Sequence, residues 1–418
     1  MSQPNARHVE VAIIGAGTAG MGAFRAARQH TDDVVLIDPG PFGTTCARVG
    51  CMPSKLLIAA AEAAHAIERA PGFGVHAGTA KVDGAAVMRR VRAERDRFVG
   101  FVTETVDAWP TERVIRQRAR FVAPMMLDLD DGHRLRADRI VIATGSRPRI
   151  PQGWRESLGD RLLTNDEVFE WQDLPRSVAV VGGGVIGLEL GQALSRLGVR
   201  VRLFQRGARL GGLSDPDIAK VAAEVLAADF PITLHAHIDE AVATGDGVRL
   251  RYRSPEGSQE AHFDYLLCAI GRLPNIEGLQ LEQSGIPLGP SGVPSTDPDT
   301  CQIADMPVFV AGDVANRRLL LHEAADDGRI AGDNAGRFPD VRVRPRRAGL
   351  GVVFSDPQIA VAGRGYAELV AAGMEFAHGA VDYGDQGRAR VMLRNAGRLH
   401  VYGERHTGLF LGAEMIAP

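Results

Sequence analysis

The apolar positions fall first into short unbroken runs closed by glycine. Residues 9–14 (VEVAII) lead into Gly15, Gly17 and Gly20, then a helical stretch from about Thr18 to His30, then VVLID ending at Asp38. That order predicts strand, tight turn, helix and strand, the βαβ unit of a parallel sheet. The pattern returns at 178–205, where VAVV runs into Gly182, Gly184 and Gly187, a helix follows, and VRVRLF leads to Gln205. RIVIATGSRP (139–148) and YLLCAIGRLPN (265–275) are apolar strands closed by glycine, arginine and proline, where a chain leaves a sheet. PVFVAGD (307–313) repeats the idea with an acid at the strand's carboxyl end. Residues 84–108 predict an arginine-rich helix with a solvated face. From 349 the pattern alternates, and RVMLRNAGRLHVYGERHTGLFLGAEMI, with turns at Asn395–Gly397 and around Gly408, predicts an antiparallel meander.

Composition narrows the class. The chain has 418 residues, 45% hydrophobic and 24% charged, an ordinary globular balance. At ~150 residues per domain it has room for about three domains and needs no covalent staple. With 48 Lys+Arg against 51 Asp+Glu the net charge is −3, which removes the general electrostatic case for nucleic acid. The basic stretch RVRPRR (342–347) reads as a domain junction. No apolar run reaches the ~18 residues of a membrane span, and no basic region followed by a long apolar core opens the chain. A cytoplasmic enzyme with no membrane partner is the expectation.

Both glycine turns match the dinucleotide fingerprint G-x-G-x-x-G in strand–turn–helix context. Glycines there admit a pyrophosphate to the helix N-terminus, and an acid ending the second strand accepts ribose hydroxyls. Asp38 stands 23 positions after Gly15, and Gln205 stands 23 positions after Gly182. Two copies in phase predict two dinucleotide sites in one chain.

Chemistry lies between the fingerprints, in GTTCARVGCMPSK. It holds Cys46 and Cys51, two of four cysteines, too few for a secreted disulfide framework. Pro53 suits the first turn of a helix, which would put Cys51 at an N-terminus where the dipole favours thiolate. Only three of the 48 basic residues are lysine, and one of them, Lys55, follows Cys51 by four positions. A dithiol beside a bound dinucleotide implies an electron relay. Zinc is the structural alternative, although no second Cys or His pair stands at ligand spacing. Two buried cysteines without a role are the third reading.

These motifs, with GGGVIGLELG and LLLHEAADDG, follow one another in an order that resembles the FAD-dependent pyridine nucleotide–disulfide oxidoreductases, and within them the dihydrolipoamide dehydrogenase branch. The resemblance runs over essentially the whole chain. It implies an α/β fold with two Rossmann-like domains, for FAD and NAD(P), and an incomplete α+β antiparallel dimerisation domain. The expected limits are 1–150 (FAD domain, first part), 151–272 (NAD(P) domain), 273–346 (central segment) and 347–418 (interface domain).

Residue by residue, the resemblance gives the ADP half of FAD to Gly15, Gly17, Gly20 and Asp38, with Gly145 in ATGSRP nearby. Asp313 would accept a ribityl hydroxyl, and the helix beginning near Leu321–His322 would point its amide ends at the flavin pyrimidine ring. His322 reads as structural within that site. Cys51 would face the flavin and Cys46 would exchange with substrate, while Lys55 and Glu189 match the family's ion pair near flavin N5. Gly182, Gly184, Gly187, Gln205, Arg206 and Gly271 fall to NAD(P), and Cys268 and Cys301 are spectators. No resident metal is implied. Dihydrolipoamide would then be oxidised through a Cys46–Cys51 disulfide and FAD, with hydride passing to NAD(P)+. A lipoyl group or another small disulfide is the implied partner, in a homodimer.

Two departures stand out. Gln205 replaces the acid of NAD-using members, and Arg206 follows at once with Arg209 close by, so a 2′-phosphate and a plain ribose both fit the residues. The family also closes with a segment carrying His-Pro and a glutamate, whereas this sequence stops at GLFLGAEMIAP with no His-Pro anywhere. The resemblance therefore implies a shortened chain, apolar sheet surface left open, and a weakened dimer. Mercuric or other metal-ion reduction is the second enzyme reading, and a non-catalytic FAD-binding protein is the reading of another class.

Overall fold

In the computed structural model, which describes residues 6–289 and 292–418, the first apolar run forms strand Arg7–Ile14. It lies between Val34–Ile37 and Arg134–Ile142, parallel to both. Val114–Ile115 extends the sheet on one side, and Val308–Val310 pairs with the end of Arg134–Ile142 on the other. An antiparallel hairpin, Ala119–Ala123 and Met126–Leu129, joins the first half of Arg134–Ile142. All four residues of Val34–Ile37 are buried, as expected of a parallel strand covered on both faces. These strands belong to one of two compact units, made of the residues up to Arg48, Arg95–Arg147 and Arg272–Arg347.

One face of this sheet is covered by two helices that touch backbone to backbone. Helix Thr18–Ala27 carries Ala19, Ala23 and Ala27, and helix Leu321–Arg337 sets Gly328, Gly332 and Gly336 against them. A Cβ at Gly328 or Gly332 would stand 2.2 Å from the Ala19 or Ala23 carbonyl oxygen. The repeat of four residues on both helices makes this a groove-to-groove contact that larger side chains would push apart.

The basic stretch 342–347 is bound to the acidic face of the same helix. Arg344 meets Asp333 at 2.9 Å, Arg346 meets Glu323 at 3.0 Å and Asp327 at 2.5 Å, and Arg347 meets Asp326 at 3.2 Å. Arg342 pairs with Asp340 at 3.2 Å. Each arginine of RVRPRR thus faces a carboxylate, and the stretch is an ion-paired strap with its charge locally met.

The second unit comprises Val49–Glu94, Pro148–Gly271 and Ala348–Pro418. Its parallel sheet runs Ile232–Thr233, Arg200–Phe204, Ser177–Val181, Tyr265–Cys268 and Leu162–Leu163. Three antiparallel strands, His237–Thr244, Gly247–Ser254 and Gly257–Phe263, form a separate sheet. The last part forms a five-stranded antiparallel sheet in the order Leu350–Val353, Gln358–Gly363, Phe410–Ala417, Arg398–Glu404 and Phe376–Asp382. The expected meander needs one correction. RVML does not begin a strand, because Gly387–Val391 is a short helix capped by the Gln386 side chain.

Glu414, fully buried, accepts the N–H groups of Ser214 (2.6 Å), Asp215 (3.0 Å) and Tyr366 (2.7 Å), and the Ser214 hydroxyl. Asp215 in turn caps helix Pro216–Ala227 and takes hydrogen bonds with His400 (2.8 Å) and Tyr402 (2.9 Å). Among the described residues no helix is long and apolar enough to cross a membrane.

Candidate active site

The first fingerprint folds as a cradle. Gly15 has φ +109°, and a Cβ there would meet the Ala143 carbonyl oxygen at 2.3 Å, so only glycine fits. A Cβ on Gly20 would lie 1.7 Å from the Gly15 oxygen, whereas one on Gly17 would meet nothing within 4 Å. Two glycines thus close the strand–helix turn, and the third leaves open space at the N-terminus of helix Thr18–Ala27, an arrangement whose amide groups suit an anion such as a pyrophosphate. The Asp38 carboxylate accepts from Ala16 N–H and Gly40 N–H, each at 2.6 Å. A carboxylate has about four acceptor sites, so it keeps capacity for ribose hydroxyls.

The second fingerprint repeats this geometry in its own unit. Gly182 has φ +112°, with the Ala269 oxygen 2.4 Å from a Cβ, and a Cβ on Gly187 would sit 1.9 Å from the Gly182 oxygen. Gly184, like Gly17, faces open space. Gln205 takes the place of Asp38, and its Oε1 accepts Gly183 N–H at 2.9 Å while Nε2 donates to the Arg209 carbonyl at 2.9 Å. The amide therefore supports the loop as the carboxylate does in the first cradle, but without charge. Arg206 and Arg209 are exposed, and no carboxylate pairs with either among the described residues.

Cys46 lies on helix Thr44–Val49, and Cys51 is the first residue of the 19-residue helix Cys51–Arg69, both half-buried. Gly50 caps that helix without a side chain, Pro53 occupies its first turn, and the Ser54 hydroxyl donates to the Cys51 carbonyl at 3.1 Å. A helix N-terminus is a place where the backbone dipole favours negative charge. One turn on, Lys55 Nζ donates to Glu189 Oε2 at 2.6 Å. Glu189 Oε1 accepts Phe354 N–H at 3.1 Å, and the Phe354 ring centroid lies 4.4 Å from Lys55 Nζ. Lysine is thus held by a buried carboxylate and an aromatic face together.

Asp313 sits in the turn Gly312–Ala315, its Oδ2 accepting the Ser146 hydroxyl at 2.7 Å. Arg272 donates to Ser146 Oγ at 2.8 Å and to the Ser146 carbonyl at 2.7 Å, fixing the serine from the other side. Gly145 (φ +69°) and Gly271 (φ +117°) both face open space. His322 is exposed at the second position of helix Leu321–Arg337, whose N-cap Leu320 offers no side-chain acceptor for the leading amides. Cys268 and Cys301 are buried apart from these groups. Burial pushes the Cys268 thiol up to about 11, and burial with the Asp327 carboxylate pushes Cys301 up to about 12. Among the described residues no three potential metal ligands cluster.

Phe354, Ser146 and Arg272 were not singled out from the sequence. Ser146 and Arg272 stand inside ATGSRP and AIGRLPN, yet only the fold pairs those segments. Phe354 lies in VVFSDP, which carries no local signal for a contact with Lys55.

Two glycine cradles and a cysteine-bearing helix in one chain define a protein that handles electrons through two dinucleotides. Residues 9–328 match the pyridine nucleotide–disulphide oxidoreductase family, and 350–418 match the dimerisation domain of those enzymes. The chain belongs to that family, whose members are flavoproteins using FAD and NAD(P)H. It is 29% identical to dihydrolipoyl dehydrogenase of Bacillus subtilis over 98% of this chain and 89% of that protein. Identity to mercuric reductase of Streptomyces lividans is 32% over 98% of this chain and 86% of that one. The solved structure of LpdA from Mycobacterium tuberculosis is similar with a TM-score of 0.80 at 27% identity, covering 98% of this chain and 90% of that one. Both cradles fit these cofactors, since Gly17 and Gly184 leave open the space that a Cβ would occupy.

Proposed function

We propose that this chain oxidises dihydrolipoamide to lipoamide with NAD(P)+ as acceptor, through a Cys46–Cys51 redox disulfide. FAD, when bound, supplies two-electron storage between the dithiol and the nicotinamide. Gly15, Gly17, Gly20 and Asp38 hold its ADP half and Asp313 its ribityl chain; Gly182, Gly184, Gly187 and Arg206 hold NAD(P). A substrate thiolate attacks Cys46 Sγ, the Cys46–Cys51 bond breaks, and Cys51 leaves as thiolate. The second substrate thiol then attacks the substrate sulfur of the mixed disulfide, releasing lipoamide and leaving both cysteines reduced. Cys51 is suited to leave first because it begins the helix Cys51–Arg69, which stabilises its anion. Lys55, held by Glu189, places a compact cation one helical turn beyond Cys51.

The carrying observation is the pair of matching cradles together with a cysteine at a helix N-terminus. Turnover of dihydrolipoamide with NAD+ or NADP+ by the FAD-loaded chain tests it, and absence of turnover by protein that still oxidises NAD(P)H contradicts it. Reduction of mercuric ion by NADPH is the second reading, favoured by the 32% identity to a mercuric reductase. The dimerisation-domain match supports a homodimer.

A further inference from the structure

Beneath the turn that carries Asp313 lies a buried charged cluster to which no role has been given. Asp327, 4% exposed, accepts Gly312 N–H on Oδ2 at 3.0 Å. Arg317 Nη2 donates to the same oxygen at 3.3 Å, and its Nη1 donates to Thr296 at 2.9 Å. Arg346 faces Oδ1 at 2.5 Å as an ion pair, although that oxygen accepts no aligned hydrogen bond. Arg346 is also tied to Glu323 at 3.0 Å. One carboxylate thus joins the turn Gly312–Ala315, the Arg317 loop and the strap 342–347.

The turn needs such a restraint. Gly312 has φ +79°, and a Cβ there would lie 2.9 Å from the Ala19 side chain, so the chain reverses in a cramped, left-handed step. A buried N–H must find an acceptor, and here the acceptor is a carboxylate, which makes a stronger bond than a neutral oxygen. A buried carboxylate is costly unless paired, and two guanidinium groups meet it. The residue after Gly312 is Asp313, whose own carboxylate accepts the Ser146 hydroxyl at 2.7 Å.

We propose that Asp327 is a positioning residue for the flavin: by fixing Gly312 N–H it aims the Asp313 carboxylate at the ribityl chain of FAD, with Arg317 and Arg346 compensating its charge. This rests on the reading of Asp313 as a ligand of that chain. The strap 342–347, outside both fingerprints, is on this view part of the FAD site.

The test is the FAD dissociation constant, read from flavin fluorescence as the holoenzyme is diluted, with NAD(P)H binding at the second cradle as control. Asp327→Ala is expected to weaken FAD about tenfold, the size of one lost charge-assisted bond, and to leave NAD(P)H binding unchanged. Asp327→Asn, whose amide oxygen can still accept Gly312 N–H, should recover most of that loss. Combined with Asp313→Asn, Asp327→Ala should add less than about twofold, because both act on one contact. Should the alanine variant fail to fold, Arg346→Met is expected to weaken FAD about threefold with the same lack of additivity. Asp313→Asn weakening FAD while Asp327→Ala, or Arg346→Met in its place, does not would overturn the positioning role alone. FAD affinity unchanged in every variant would overturn it together with the reading of Asp313. Full additivity of the double variant would also overturn it.

Discussion

Lys55 Nζ and Glu189 Oε2 stand 2.6 Å apart, the carboxylate almost fully buried and the lysine side chain one-third exposed. The other oxygen of Glu189 holds Phe354 N–H, at the end of a strand of the antiparallel sheet. One buried acid therefore secures both the lysine four positions after Cys51 and the first strand of the dimerisation domain. Arginine would bring a planar, delocalised fork to a place where a compact ammonium now meets the carboxylate at 2.6 Å and the ring at 4.4 Å. Lys55→Arg is expected to lower kcat about tenfold or more while FAD content stays at the wild-type level. A kcat within about twofold of wild type would show that the rate does not need a compact ammonium rather than a guanidinium at this position.

The four cysteines should separate by reactivity. Alkylation after anaerobic reduction by NAD(P)H, at pH 8, should label Cys46 and Cys51, which are half-buried. Cys268 and Cys301 should resist, because burial holds their thiols protonated, up to about 11 and about 12. Peptide mass mapping checks this. Equal labelling of all four, or none at Cys46 and Cys51, would remove the redox pair from the mechanism.

Nucleotide choice should follow Gln205 and Arg206. Gln205 spends its amide on Gly183 N–H and the Arg209 carbonyl and brings no negative charge to repel a 2′-phosphate. Arg206 is exposed with no ion partner among the described residues. Arg206→Ala is expected to raise KM for NADPH about tenfold with little change for NADH, as loss of a charge-assisted phosphate contact requires. Equal effects on the two nucleotides would mean that Arg206 is only solvated.

Packing of the two helices behind the first cradle leaves no room for a methyl group. Gly332→Ala puts a Cβ 2.2 Å from the Ala23 carbonyl, so a loss of ~1–3 kcal/mol and a lower Tm are expected. Gly245→Ala, at a site with nothing within 4 Å, is the control and should stay within ~0.5 kcal/mol of wild type. Similar Tm changes in both variants would contradict close packing at Gly332.

Acid should release the strap. Burial alone would raise the Asp333 carboxyl, but hydrogen bonds from Arg344, His30 and Arg337 outweigh it and hold the group down to about 2. A carboxyl lowered on folding contributes stability above its unfolded value, near 3.9, and loses it as pH falls through the folded one. The Tm gap between wild type and Asp333→Asn should therefore be full at pH 6, shrink below about pH 4 and close near pH 2. A gap independent of pH would place the effect in packing.

The parallel strands, both cradles and the cysteine helix were legible because each rests on local rules. A glycine that must avoid a carbonyl 2.3 Å from its missing Cβ, as Gly15 does, leaves a signature at fixed spacing. RVRPRR reads as a domain junction, but its ion pairs were not legible, since the partners of Arg344, Arg346 and Arg347 lie on the helix Leu321–Arg337 and become neighbours only through the fold. Ser146 and Arg272 are 126 residues apart, and nothing local in either segment predicts their hydrogen bond. RVML misled because its apolar residues suit a strand, while the Gln386 cap and the turn at Asn395–Gly397 favour a helical end. The small sheet His237–Phe263 was not singled out from the sequence, although VRLRYR alternates between the turn signals Asp246–Gly247 and Pro255–Gly257, unlike the unbroken apolar runs of the parallel strands.

The most direct test of the proposed chemistry mixes the FAD-loaded protein anaerobically with dihydrolipoamide and follows flavin absorbance, for wild type and Cys46→Ser side by side. Dihydrolipoamide should reduce the flavin of the wild type, fail with Cys46→Ser, and leave both proteins reducible by NAD(P)H. A wild-type flavin that NAD(P)H reduces and dihydrolipoamide does not would contradict the assignment.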